Sequence, residues 1–191
     1  MRITGGKFRS RRLLSVESPV LRPATDRLRE TMFDILSNMM SMEGIEGLDL
    51  YAGTGSVGLE AISRGASHMT FVESDRKILS VLERNVRALG SEDHCTVRAA
   101  RVERFIESYQ GRRFDIAFID PPYAINDNTH KVIDCVLMRK IVNDEGIICI
   151  EHSKAYSPPS SLLLRQRLFG STILSLIRPD LNPVEETTCQ M

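Results

Sequence analysis

The chain has 191 residues, is 42% hydrophobic, and balances 25 basic against 25 acidic residues for a formal net charge of zero. That size buries a proper core and predicts one domain with an appendage. No apolar run reaches membrane-spanning length and the basic start is not followed by an apolar block, which argues against a membrane span or an export signal and for a cytoplasmic protein.

The charge is unevenly spread. Residues 1–40 hold eight of the basic residues and four of the acids, leaving 17 against 21 for the remainder. A basic amino-terminal arm on a mildly acidic body suggests a polyanionic partner held at one end. Residues 1–22 read as short basic strands around Gly5-Gly6, a β-hairpin extension ending at Leu21-Arg22-Pro23. Within it Arg2, Lys7, Arg9, Arg11, Arg12 and Arg22 are the candidate phosphate contacts, although charges along a strand edge also serve simply to prevent edge pairing.

The main domain is expected over residues 23–191. Thr25 or Asp26 can cap a first helix, with Leu28, Met32, Ile35, Leu36 and Met39 at helical spacing. The pattern then alternates. Strands fit near 47–51, 68–73, 94–98, 114–120 and 146–151, and helices near 56–64, 75–89, 101–109 and 128–139. Such alternation implies a mostly parallel sheet with helices on both faces. After Ser157-Pro158-Pro159-Ser160, stretches 162–169 and 171–178 around Phe169-Gly170 read as a closing antiparallel hairpin, with a loosely ordered tail beyond Pro179.

Leu48 to Gly58 is a strand, a glycine-rich turn and a helix start, and Gly53-x-Gly55-x-x-Gly58 fits a dinucleotide fingerprint, with Glu73 twenty residues after Gly53. A nicotinamide or flavin enzyme is therefore an open alternative, as is a turn that needs small residues for close packing. Asp49 tilts the choice. A carboxylate beneath this loop would repel a pyrophosphate and attract the α-ammonium of a methionine moiety. Asp49, the loop residues Tyr51, Ala52, Gly53, Thr54 and Gly55, and the strand-end Glu73-Ser74 together favour S-adenosylmethionine, with S-adenosylhomocysteine as product. Asp49 could instead be a strand-end acid bonded to backbone amides.

Asp120-Pro121-Pro122-Tyr123 follows the apolar run Phe114–Ile119 and ends it abruptly, since proline cannot donate to a ladder. An acid, backbone carbonyls and a ring are left at the strand's carboxyl edge, where open α/β sheets bind ligands. An exocyclic amine on a base is a poor nucleophile that turns positive as a methyl is added. Acceptors aimed at its hydrogens, here the Asp120 carboxylate and the Pro121 carbonyl, favour the transition state. Tyr123 would stack on the base and orient the amine. An ordinary Pro-Pro turn is the plainer alternative. Neither the four histidines nor Cys95, Cys135, Cys149 and Cys189 show metal-ligand spacing, so no metal is expected and the cysteines read as reduced thiols. His152 reads as a structural histidine beside the site.

With these residues in place, the sequence resembles bacterial methyltransferases that modify the N2 amine of a guanine in 16S ribosomal RNA. The resemblance covers nearly the whole chain. Arg2-Ile3-Thr4-Gly5-Gly6, Arg9-Ser10-Arg11-Arg12-Leu13 and Leu21 to Thr31 resemble the family's amino-terminal signature. Asp49 to Ala61, Phe71-Val72-Glu73, Asp120 to Tyr123 and Phe169-Gly170 resemble its core.

The resemblance implies a Rossmann-like class I methyltransferase fold with a seven-stranded, mostly parallel sheet, an antiparallel carboxyl-terminal hairpin and a small amino-terminal β-extension. It also implies that Arg22-Pro23-Ala24-Thr25 folds over the cofactor's methionine end, and that the partner is 16S ribosomal RNA or an assembling small subunit, met by a monomer. Ser10 stands where the family often has glycine. Ala100 stands where an acid or amide often meets adenine, which would leave the backbone near Ala100 and Arg101 to make that contact. The same Asp-Pro-Pro-Tyr would serve an adenine-N6 or cytosine-N4 methyltransferase, and a non-catalytic RNA-binding module is a further rival. The target base must leave its stack to reach Tyr123.

Overall fold

The computed structural model describes residues 1–16, 26–121 and 129–179. Thr25, Arg22, Pro122 and Tyr123, and the tail from residue 180, lie outside the described residues.

The chain forms α1 (Asp26–Ser37), β1 (Glu46–Leu50), α2 (Ser56–Ser63), β2 (His68–Glu73), α3 (Arg76–Leu89), β3 (Cys95–Ala99), α4 (Val102–Ser108), β4 (Phe114–Ile119), α5 (Thr129–Met138), β5 (Val142–His152), β6 (Leu163–Phe169) and β7 (Thr172–Ile177). The strands make one seven-stranded sheet in the order β3-β2-β1-β4-β5-β7-β6. The first five are parallel, and β7 runs antiparallel to both β5 and β6. The expected α/β architecture and its antiparallel closing hairpin are therefore both present.

Strand alternation divides the core in two. Phe71, Ile116, Phe118 and Cys149 face the side that carries α1, α2, α3 and the arm residues Ile3 and Leu13. Leu48, Leu50, Val72, Ile119 and Ile150 face α4 and α5. Helix α3 starts and stops where its sequence dictates. Asp75 Oδ1 accepts from the amides of Lys77 and Ile78, and Gly90 ends the helix at φ 61°.

Strand β5 is longer than its apolar run. It begins at Val142, through a polar Asn143-Asp144-Glu145-Gly146 that reads as a turn, and its register with β4 shifts between Phe114 and Ile116. Side chains hold this irregular start: Asn143 Nδ2 donates to Asp115 Oδ1 at 2.8 Å, and Arg113 pairs with Asp144. Those partners lie about 30 residues away in sequence, beyond the reach of a local pattern.

The amino-terminal arm folds back on itself. Ile3 N donates to Arg11 O, Ser10 N to Ile3 O and Leu13 N to Met1 O, framing one antiparallel bridge between Arg2 and Arg12. It is clamped to the end of α2. Lys7 N donates to Ser63 O at 2.7 Å and Phe8 N to Ser63 Oγ at 2.9 Å. Gly6 is required here, because a Cβ would stand 1.8 Å from Ser63 O.

A buried carboxylate finishes the clamp. Glu60, wholly inaccessible, accepts from Thr4 N, Thr4 Oγ1 and Gly5 N at 2.7 Å each and from Arg64 Nε at 2.8 Å. It also pairs with the equally inaccessible Arg29 of α1 at 3.4 Å. Cys95 and Cys149 are free, as read from the sequence; Cys135 departs from that reading and is disulfide-bonded.

Candidate active site

The carboxyl ends of four adjacent strands carry acids. Glu73 closes β2, Asp49 lies near the end of β1, Asp120 follows β4 directly and Glu151 lies near the end of β5. Asp49 is in register with Phe71 and Phe118, while Ile119 is in register with Leu50 and Ile150. Alternation then sends all four acids to the α1–α3 face of the sheet. The arrangement follows from sequence parity alone: each acid stands two residues from a core side chain of that face, or level with one.

Asp49 is only 4% exposed. Its Oδ2 accepts from Gly58 N at 2.9 Å across the turn. The approach is close enough that a Cβ on Gly58 would lie 2.3 Å from the Phe71 ring. Burial first, then the charges of Asp120 and Glu73, push the Asp49 carboxyl up to about 7 against the opposing Gly58 amide. Asp49 thus does bond a backbone amide, and one of its oxygens remains without a hydrogen-bond partner among the described residues. Glu73 braces the loop: Oε2 accepts from Gly53 N at 3.0 Å, and Oε1 from Ser74 N and Asp75 N at 2.7 and 2.8 Å.

The loop between them is tightly wound. Tyr51 adopts φ 60° and Gly55 φ 82°. The Tyr51 turn sends its ring to the α4–α5 side, where its hydroxyl is buried beside the Glu103 carboxylate. Burial raises the phenol, and the nearby Glu103 carboxylate raises it further. Ala52 N donates to Val72 O, and Gly55 N to Ala52 O. Thr54 O accepts from Asn85 of α3 at 2.9 Å. Asn85 is buried and also grips the arm, accepting from Leu14 N at 2.8 Å and donating to Leu14 O at 3.1 Å.

Asp120 is half-buried and Pro121 buried at the end of β4. Desolvation drives the Asp120 carboxyl upward. Glu151 is driven well above the usual carboxylate range by burial first and then by the Asp120 charge, with Arg29 pulling the other way and Asp49 adding to the rise. Neither side chain has a hydrogen-bond partner among the described residues. Four acids on one edge, opposed chiefly by Arg29, make an environment that repels a pyrophosphate and accommodates a cation. A sulfonium with an α-ammonium fits that donor set.

The remaining site residues divide. Ala100 N is already committed, donating to Glu73 O at 3.1 Å and Arg98 O at 3.0 Å, so it does not offer adenine a free amide. The Arg101 side chain is largely exposed, 3.9 Å from Glu103. A cavity of about 510 Å³ opens between β3 and α4, lined among others by Arg98, Ala100, Arg104 and Phe105, and meets the predicted site only at Ala100. His152 has both ring nitrogens engaged, Nδ1 with Ser153 O and Nε2 with Ser175 Oγ, each at 2.7 Å, as a structural histidine should.

In the arm, Arg2 lies 3.9 Å from Asp26 and Arg11 donates to Ala88 O at 2.7 Å. Lys7 sits over the Phe8 ring, and Arg9 and Arg12 are exposed. Glu151 was missed in the sequence. It follows the apolar run Ile147–Ile150 as Asp120 follows Ile116–Ile119, so the same rule would have found it.

The family model described as conserved hypothetical protein 95 matches residues 1–178. The Escherichia coli (strain K12) ribosomal RNA small subunit methyltransferase D is 37% identical over 151 residues, covering 79% of this chain and 74% of that protein. Its Haemophilus influenzae namesake is 31% identical over 175 residues, 89% of each chain. A solved Thermus thermophilus protein superposes with a TM-score of 0.81 at 35% identity, covering 93% of this chain and 99% of its own.

Proposed function

Because the chain belongs to the conserved hypothetical protein 95 family and is 31–37% identical to ribosomal RNA small subunit methyltransferase D proteins over most of its length, we propose that it methylates the exocyclic N2 amine of a guanine in 16S ribosomal RNA. S-adenosylmethionine, when bound, supplies an electrophilic methyl group on a positively charged sulfur. The residues of this chain do the rest. Asp49 offers its unpartnered oxygen to the α-ammonium, and Glu73, braced by three amides, retains acceptor capacity for the ribose hydroxyls. Thr25, outside the described residues, is assigned to the methionine end.

At the reacting end, the Asp120 carboxylate and the Pro121 carbonyl accept from the amine. As the nitrogen takes the methyl it becomes positive, and an acceptor in a poorly solvated place favours that change most. An Asp120 carboxyl raised by burial is also basic enough to take the proton that the methylated amine must release. Glu151 stands beside it, and its carboxyl, raised by burial and by the Asp120 charge, adds a further group at this edge whose ionisation a nearby cation would favour. Pro122 and Tyr123 are assigned to wall and stack the flipped base.

The observation that carries this reading is the row of acids on one face at the strand ends, with Asp120 directly after β4. It speaks against a nicotinamide enzyme, whose pyrophosphate would meet Asp49. The substrate is taken to be 16S ribosomal RNA, free or in an assembling subunit, and the enzyme to be a cytoplasmic monomer. No helix among the described residues is long and apolar enough to cross a membrane. The test is to incubate the protein with S-adenosylmethionine and small-subunit ribosomal RNA, digest the RNA and identify the product nucleoside. N2-methylguanosine is expected. N6-methyladenosine or N4-methylcytidine would overturn the assignment, as would thermal stabilisation by NAD in place of S-adenosylhomocysteine.

A further inference from the structure

Helix α3 carries four basic residues, Arg76, Lys77, Arg84 and Arg87, and one acid, Glu83. All five are exposed. Lys77, Arg84 and Arg87 are spaced by seven and three, which lines them up along one side of a helix. Ten residues at the helical rise separate Lys77 from Arg87, about 15 Å. Among the described residues none of the four cations has an ion-pair partner within 4 Å. In a chain of zero net charge, such an unneutralised stripe is not a by-product of basic composition.

Helix stability accounts for Arg87, a cation in the last turn, but not for the start of the stripe. Arg76 and Lys77 occupy the first turn, where the helix dipole disfavours positive charge, and the Asp75 carboxylate there is occupied in capping two amides. The stripe is continuous with the arm. Arg11 Nη2 donates to Ala88 O, and Asn85, on the same helix, holds Leu14 by both its backbone groups. The arm is thus fastened along the second half of α3, next to Arg84 and Arg87. Glu92 and Asp93, just past the helix, mark where the positive surface ends.

We infer that the outer face of α3, through Lys77, Arg84 and Arg87, continues the amino-terminal arm as one surface that binds the phosphate backbone of the RNA substrate. The inference rests on the reading of this protein as a ribosomal RNA methyltransferase. A row of about 15 Å spans roughly four phosphates at a spacing of about 3.4 Å per charge along a strand. The contacts carry no sequence information, and they fix the orientation of the RNA while the base is presented to Asp120.

The test uses the full chain with Lys77→Gln, Arg84→Gln and Arg87→Gln combined, and a small-subunit ribosomal RNA transcript as probe. Binding is measured across a salt series, beside wild type and an Arg9→Gln/Arg12→Gln variant. Affinity for the transcript is expected to fall about tenfold or more near 0.1 M salt, with the slope of log K against log salt shallower by about two, from three lost contacts worth ~0.7–0.9 each. Affinity for S-adenosylhomocysteine should stay at the wild-type value, which separates the effect from misfolding. A triple variant that binds with wild-type affinity and slope overturns the α3 surface, whatever the arm variant does. A wild type that binds and methylates no ribosomal RNA overturns the proposed function itself, and the surface with it.

Discussion

Two carboxylate sites on the α1–α3 side of the sheet treat buried charge in opposite ways. Glu60 is fully enclosed and fully answered: three donors from the arm and two guanidiniums, from Arg29 and Arg64, converge on one side chain. At the strand ends, Asp49, Asp120 and Glu151 are crowded together, and among the described residues their side chains receive a single hydrogen bond, from Gly58 to Asp49. The first arrangement answers every oxygen of a buried carboxylate with donors and ties three segments of chain together. The second makes ionisation costly and leaves acceptors open. Buried polar networks of the first kind hold architecture. Strain of the second kind is relieved by a cation, which is what a methyl-transfer site has to offer room for.

Removing the Glu60 carboxylate should have the largest effect. Glu60→Ala leaves Arg29 buried beside an empty space and frees the arm's amides, so denaturation should show a loss of about 3–5 kcal/mol, as for one broken partner of a buried pair. A loss under ~1 kcal/mol would mean that the arm is held by Ser63 and Asn85 instead. Asp120→Asn should do the reverse. Methylation should slow by about 10²–10³-fold, as for loss of one transition-state acceptor, with the denaturation midpoint no lower than wild type. If stability falls as much as activity, the acid edge is part of the scaffold and the contrast with Glu60 disappears.

The two sites also differ in how far they could be read in the sequence. The acid edge was largely legible, because each acid ends or nearly ends an apolar run, and alternation fixes the face it points to. Strands β1, β2, β3 and β4 fell within a residue of expectation for the same reason. The Glu60 clamp was not legible. In sequence Glu60 is one acid on a helix, and its partners at Thr4, Gly5 and Arg29 come from 31 to 56 positions away. Arg29 and Asn85 look like surface residues in a helical pattern, yet both are buried, because their polar ends meet backbone groups that a periodicity argument does not contain. The polar start of β5 was lost for the same cause: Arg113, just before β4, and Asp115, in it, hold it from the neighbouring strand's start.

Asp49 allows the electrostatic half of the contrast to be titrated. Its folded carboxyl is raised from 3.8 to about 7, so between those values the native state holds a proton that the unfolded chain has released. Binding more protons when folded means that stability falls as pH rises through that window. Asp49→Asn keeps an acceptor for Gly58 N and removes the charge. Relative to wild type it should therefore be neutral below about pH 4, gain stability between about pH 4 and 7, and hold a constant gap above. Three units at full value would be ~4 kcal/mol, and solvent near the strand edge should reduce this to about 2 kcal/mol. A gap that does not change with pH would show that Asp49 ionises normally. S-adenosylhomocysteine, which keeps the α-ammonium, should bind this variant more weakly.

The smallest effect belongs to the arm, at Ser10. Ser10 adopts φ 69°, a left-handed conformation that glycine occupies freely and a side chain does not. Its amide donates to Ile3 O at 2.9 Å, so the turn is held in this shape by the pairing of the arm with itself. Ser10→Gly relieves the local strain but also loosens the unfolded chain, and the two contributions partly cancel. A net gain of under about 1 kcal/mol is expected from chemical denaturation. Because Ser10 is exposed and its only hydrogen bond among the described residues is to Ile3 O, the change should leave cofactor affinity and methylation rate where they are. A Ser10→Gly variant that loses stability would mean that the serine side chain makes up for its backbone in some way the turn geometry does not explain.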